Sequence, residues 1–273
     1  MSEPVPQATS EFVVTKEYRR FAEFCDACRR YRYIGLCYGP PGVGKTLSAR
    51  HYAQWDLVET QLPRWMVVSP PPEIIPLRTA FYTPSVNNSP GRLVKDISQL
   101  RDDLLVLTEA AFQLQQGNDD WSLPHPRPNR MELLIVDEAD RLKTVGLEQM
   151  RDIYDRGGMG LILIGMPGLE KRLARYPQLY SRVGFVHQFQ ALSTEEAHFI
   201  LTQKWQQWGL TLQPDDFTDA EAIVAIIRIT GGNFRLMQRL LTQIERILRI
   251  NELRTVTKEV VEAARENLVI GLT

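Results

Sequence analysis

The chain has 273 residues, 44% hydrophobic and 24% charged, with a formal net charge of −1. Those values suit one or two globular domains with a real core, and they leave only local basic clusters to serve a nucleic-acid ligand. No apolar run approaches the roughly 18 residues that span a bilayer, the polar, acidic start MSEPVPQATSEF does not read as a signal peptide, and three cysteines are too few, and odd in number, for a disulfide framework, so a cytoplasmic, reducing setting is expected.

Residues 1–14 read as a loose, extended leader. TKEYRRFAEFCDACRRY, residues 15–31, reads as a helix with Thr15 as its N-cap. Cys25 and Cys28 form a lone C-x-x-C within it. With no second pair nearby, ordinary reduced thiols are expected rather than a zinc site. YIGLCY then reads as a buried strand, followed by GPPGVGKT, residues 39–46. Gly39, Gly42, Gly44, Lys45 and Thr46 satisfy the phosphate-loop pattern, with Pro40, Pro41 and Val43 inside it and Leu47 in the helix behind. Glycines let backbone amides approach phosphate oxygens, and the helix start adds partial positive charge. Lys45 is expected to reach the β- and γ-phosphates of ATP, and Thr46 to offer its hydroxyl to Mg²⁺.

RWMVVS and RTAFYTPSV both read as strands, with the proline-blocked PPPEIIP between them. Residues 89–116 read as a helix carrying Leu93, Ile97, Leu100, Leu104 and Leu107 at three- and four-residue spacing. GNDDWSLPHPRPNR reads as a loop, with His125 a solvated residue between prolines. LLIVDE is an apolar strand delivering Asp137, which would orient Mg²⁺, and Glu138, which would polarise water for attack on the γ-phosphate. GLEQMRDIYDRGG reads as a helix, MGLILIGMPG as a buried strand, LEKRLARYPQLYSRV as a basic helical stretch and GFVHQFQ as a short strand. Alternating strands and helices predict an α/β fold with a parallel sheet flanked by helices. From LSTEEAHF onward the strands stop. Ser193 and Glu196 make a capping box, and three or four helices follow. The expected domains are an α/β nucleotide-binding unit over 15–190 and a helical unit over 191–273.

The phosphate loop, LLIVDEADRLK, LILIG, an arginine before the last strand and the helical end together resemble the AAA+ ATPases, with the last unit as a small all-α lid. Within them, DEADRLK and the stretch from MRDIYDRGG to QALS are similar to the TnsC/TniB/MuB-type ATPases of DNA transposition, and to ExeA-type ATPases. The resemblance implies that Arg182 is an arginine finger reaching a neighbouring subunit's γ-phosphate, and that Arg235 is the lid's sensor-2 arginine. It also implies a ring or helical filament with ATP between subunits, duplex DNA as a ligand, and a transposase and a target-selection protein as candidate partners. Phosphate contacts are then expected from Arg92, Lys95 and Asn88, with Asn87 and Ser89 beside them and Arg141 and Lys143 as weaker candidates. Gly165–Met166–Pro167 departs from the family, since a polar sensor-1 residue often ends that strand, and this suits a slow ATP switch. An ExeA-like secretion or assembly ATPase, a replication-initiator or helicase-loader ATPase and a nucleotide-dependent scaffold stand as alternatives.

Overall fold

The computed structural model describes residues 12–62, 69–118, 131–210 and 217–268. Helix α1 (Lys16–Tyr31) starts at Thr15, whose hydroxyl accepts from the Tyr18 amide at 3.1 Å, pairing a donor that a helix start leaves open. Five strands follow among the described residues: β1 (Ile34–Tyr38), β2 (Thr79–Tyr82), β3 (Leu133–Val136), β4 (Gly160–Gly165) and β5 (Val183–Gln188). They form one parallel sheet in the order β2-β3-β4-β1-β5. Strands β2, β3 and β4 are buried at every position, as unbroken apolar runs require when helices cover both faces. The edge strand β5 alternates half-buried and exposed residues. Its inward His187 sits against Phe21 and Phe24 of α1.

The sheet is flanked by α2 (Lys45–Ala53), α3 (Trp55–Glu59), α4 (Pro90–Gln115), α5 (Thr144–Gly157), α6 (Leu169–Leu173) and α7 (Pro177–Tyr180). Along α4, Leu93, Ile97, Leu104 and Leu107 are buried, and Leu100 packs half-buried beside them. Two expectations change. The basic stretch after β4 is not one helix, because Pro177 has no amide hydrogen for a fourth-residue bond and instead opens α7 in its first turn. Strand β2 stops at Tyr82, just before the proline at position 84. The strand expected at RWMVVS and the loop carrying His125 fall largely outside the described residues.

Four further helices lie among the described residues: α8 (Thr194–Gln207), α9 (Phe217–Thr230), α10 (Phe234–Ile250) and α11 (Lys258–Glu266). They enclose a second hydrophobic cluster around Trp205, Leu240, Ile244 and Val261. Ala191 packs on the sheet's cluster and Leu192 on the helical one, so the change of core falls between these two residues. Ser193 and Glu196 form the expected capping box. The Glu196 carboxylate also accepts from the Glu17 amide at 3.0 Å. Glu17 itself is buried, accepts from the Gln190 amide at 3.1 Å and faces His187 Nε2 at 3.0 Å. Just before α1, Phe12 stacks on His51 with ring centres 3.6 Å apart, and Val13 packs on the lid cluster. The described end of the leader is therefore anchored rather than loose. The start of α1 touches both cores.

Gly232 closes this joint. The Leu192 amide donates to its carbonyl at 2.9 Å. Its φ is +75°, and a Cβ there would run into the Leu192 carbonyl. Gly232→Ala is expected to cost at least about 1–2 kcal/mol through the left-handed backbone alone, read as a lower denaturation midpoint with the fold retained. An unchanged midpoint would show that the lid is not held through this turn.

Candidate nucleotide-binding site

The phosphate loop leaves the C-terminal end of β1, next to the end of β4 and one strand away from the end of β3. Gly42 and Gly44 hold φ values of +81° and +111°, which open the loop where a side chain would be strained. Outside groups fix its shape. A Cβ on Gly39 would strike the Phe189 carbonyl, and one on Gly42 would strike the Asn233 side chain. Val43 is buried in the sheet's cluster, while Pro40 and Pro41 are exposed. The Asn233 amide donates to the Pro41 carbonyl at 2.9 Å, and the Arg235 backbone amide to the Gly42 carbonyl at 2.9 Å. Asn233 also caps α10 by accepting from the Leu236 amide. One side chain thus starts the lid helix and grips the loop.

Lys45 is buried, and its ammonium donates to the Gly39 and Pro40 carbonyls at 2.6 and 2.7 Å. Burial holds its pKa below the ordinary lysine value. Thr46 donates its hydroxyl to Asp137 Oδ2 at 2.6 Å, and Asp137 is buried at the end of β3. A hydroxyl and a carboxylate side by side, both hard oxygen donors, fit Mg²⁺. The ion would neutralise charge on phosphate oxygens held by the loop. Lys45, Thr46, Leu47, Asp137, Glu138 and Arg235 are among the residues around a cavity of about 480 Å³, which also reaches Arg50, Asp140, Phe234 and Gln238.

Glu138 has a left-handed φ of +49° and ion-pairs with Arg141. Arg141 also donates to the Pro84 carbonyl at 2.9 Å. Asn88 gives its side-chain amide to the carbonyls of Ser85 and Arg141, at 2.9 and 3.2 Å. It braces the loop before α4 and presents no free amide donor outward. Arg92 is exposed, with Asp96 3.5 Å away, and Lys95 is exposed beside it. Arg182 lies outside the cavity lining. It makes a two-pronged contact with Asp155, at 2.7 and 3.0 Å, which lowers the Asp155 pKa. Cys25, Cys28 and Cys37 are free and buried. Burial pushes the Cys28 thiol to about 12, and the described residues hold no cluster of metal-ligating groups.

Asp140 was not singled out as a site residue from sequence. Its Oδ2 accepts from the Met166 amide at 2.7 Å, and a Cβ on Gly165 would strike that carboxylate. The space at the end of β4 is filled from the neighbouring loop. The only sequence signal was the glycine there. Phe234 and Gln238 were also missed, because their place on the cavity follows from the lid's docking.

Lys45→Met removes the charge while leaving the stem. Nucleotide affinity is expected to fall roughly 10- to 150-fold, from the loss of charge-assisted bonds worth about 1.5–3 kcal/mol. Titration with a fluorescent ADP analogue reads it, and wild-type affinity would sink the assignment of this lysine to phosphate.

The family described as AAA domain matches residues 28–173. A Staphylococcus aureus protein named potential ATP-binding protein is 48% identical over 265 residues, covering 96% of this chain and 97% of that protein. The Mu-like prophage FluMu DNA transposition protein B of Haemophilus influenzae is 24% identical over 235 residues, covering 83% of this chain and 70% of that protein. Among solved structures, the Thermotoga maritima RuvB Holliday junction branch migration motor has a TM-score of 0.57 at 17% identity, over 96% of this chain and 72% of that one. The Aeropyrum pernix ORC1 protein in complex with DNA has a TM-score of 0.55 at 17% identity, over 93% of this chain and 65% of that one. Both structures share the fold. Together with the phosphate loop, the Thr46–Asp137 pair and the docked lid, the family match over more than half the chain means that this protein belongs to the AAA domain family, with the P-loop AAA+ fold.

Proposed function

We propose that the chain is a slow AAA+ ATPase that assembles on duplex DNA with ATP between subunits and recruits or activates a transposase. The observation that carries the nucleotide half is the Thr46–Asp137 pair beside buried Lys45, facing the same cavity as Glu138 and Arg235. The relative named DNA transposition protein B supports the other half. In this reading Lys45 and the loop amides bind the phosphates, Thr46 and Asp137 hold Mg²⁺, and Arg235 joins the lid to the nucleotide. Glu138 must leave Arg141 before its carboxylate can orient a water, so the basal rate is low. Met166, with no polar side-chain group, adds to that slowness.

The DNA contacts proposed at Arg92 and Lys95 open α4, next to the loop that Arg141 and Asn88 brace. A phosphate backbone pressing there would act on the guanidinium that holds Glu138. This gives DNA a physical route to the hydrolytic carboxylate.

Glu138→Gln is expected to keep ATP binding and ATP-dependent duplex binding while cutting turnover about 10²–10⁴-fold. Anisotropy with a labelled duplex under ATP, ADP and no nucleotide, beside phosphate release, measures both. No duplex binding by the wild type in any nucleotide state would overturn the proposal. The finger assignment has its own test, since Arg182 would act on the next subunit. Arg182→Ala alone is expected to lose about 10³-fold or more in rate, whereas mixing it with Lys45→Met subunits restores part of it. Mixtures as inactive as their components would place Arg182 with Asp155 as a structural pair only.

A further inference from the structure

Helix α10 turns Met237, Leu240, Leu241, Ile244 and Leu248 into the lid core. Its opposite face carries Arg235, Arg239, Thr242, Arg246 and Arg249, all exposed. The spacings of four, three, four and three residues put them on one line. From Arg235 to Arg249 the line is about 21 Å long at 1.5 Å per residue. The lid's other surface charges are largely paired. Lys204 meets Glu245 at 3.6 Å, Arg228 meets Glu262 at 3.1 Å and Lys258 meets Glu221 at 3.9 Å. Arg239, Arg246 and Arg249 have no ion pair among the described residues. In a chain of net charge −1, three unpaired guanidiniums on one line form a concentrated positive surface.

We infer that the Arg239–Arg246–Arg249 face of α10 binds the sugar–phosphate backbone of duplex DNA, as a contact separate from the start of α4. The inference rests on the proposed DNA-dependent function. Three features favour a phosphate backbone over an acidic protein. The Arg239–Arg249 stretch, about 15 Å long, runs beside about four phosphates of one strand, which advance 3.4 Å each along the duplex. Guanidinium forks match phosphate oxygens in pairs. Between the arginines sits Thr242, whose hydroxyl donates to the Gln238 carbonyl at 2.9 Å, and the exposed apolar side chain on this side, Ile250, lies only at the far end of the line. The line also begins at the nucleotide cavity, since Arg235 and Gln238 line it and the Arg235 backbone is bonded to the phosphate loop. DNA on this face and ATP in the loop therefore act on one rigid helix. Nothing in the contact reads base edges, so it carries no sequence preference.

The test uses the full chain with ATP and a labelled random-sequence duplex, titrated at several salt concentrations. Arg239→Ala/Arg246→Ala/Arg249→Ala is expected to weaken binding about tenfold or more and to flatten the slope of log affinity against log salt by about 2–3, near 0.9 for each phosphate that is no longer neutralised. Binding of a fluorescent ADP analogue stays unchanged, because these three residues do not line the cavity. The triple Arg→Lys variant keeps most of the slope, separating charge from fold. Should the alanine variant not fold, single Arg246→Glu and Arg249→Glu variants read the same slope. Wild-type affinity and slope in the alanine variant would overturn this inference while leaving the DNA-binding function standing. Poly-glutamate binding as tightly as the duplex, and abolished in the same variant, would reassign the face to an acidic protein. Absence of duplex binding by the wild type would remove both readings together.

Discussion

The phosphate loop does not hold its shape alone. Two of its glycines sit at positive φ; its carbonyls at Gly39 and Pro40 accept from its own Lys45, and those at Pro41 and Gly42 accept from the lid. Lys45 fastens its first turn, Asn233 and the Arg235 backbone fasten its middle, and the Phe189 carbonyl closes against Gly39. Ordering such a segment costs about 1–2 kcal/mol per residue in backbone entropy, and these bonds offset that before any ligand arrives. The arrangement has a consequence for binding. Lys45 gives two of its three N–H donors to loop carbonyls, so on the proposed reading a phosphate would compete with bonds inside the loop for its ammonium. Because the lid supplies two of the fastenings, a change in lid position is a change in loop geometry.

The same economy of parts runs through the lid joint. Glu196 caps its own helix and takes the amide of Glu17, whose carboxylate in turn takes the amide of Gln190 after β5. Helix α1, the edge strand and α8 thereby share one hydrogen-bonded seam. Arg182 precedes that edge strand, and its guanidinium is held by Asp155 on α5. On the proposed reading, a neighbouring nucleotide would draw Arg182 from Asp155, and β5 would carry the change towards the seam and the lid.

What was legible in the sequence follows from local physics. The apolar runs LLIV and GLILIG declared buried parallel strands, and the glycine pattern with Lys45 and Thr46 declared a phosphate cradle. Thr15 and Ser193 were readable as caps because capping is a three-residue matter. The break at Pro177 is written in the chain, yet strong helix formers flank it and mask it. Other features could not be read because they join residues far apart. The amide of Asn233 reaches Pro41 across 192 positions, and Arg141 reaches Pro84 across 57. Asn88 illustrates the difference. Its place before a basic helix start suggests a DNA contact, while the bond from its amide to the Arg141 carbonyl, across 53 positions, has no local signal.

Asp140 gives the cavity a charge balance that composition could not reveal. Lys45, Arg50 and Arg235 face it with Asp137, Glu138 and Asp140. Arg50 is already paired with Asp56 and Glu59, so its charge is largely committed away from the cavity. Glu138 is likewise paired, with Arg141, so two available cations face two unpaired carboxylates before a triphosphate adds its own negative charge. Like charges in one partly buried site repel strongly at low effective dielectric. Mg²⁺ at Thr46 and Asp137 would answer part of that excess. A guanidinium from an adjoining subunit would answer more, and Arg182 is the residue the resemblance assigns to that task. On the proposed reading a lone subunit would be a poor ATPase, and turnover would depend on assembly. Any surface that gathers subunits side by side, as a duplex bound along α10 would, could then control the rate without touching the nucleotide.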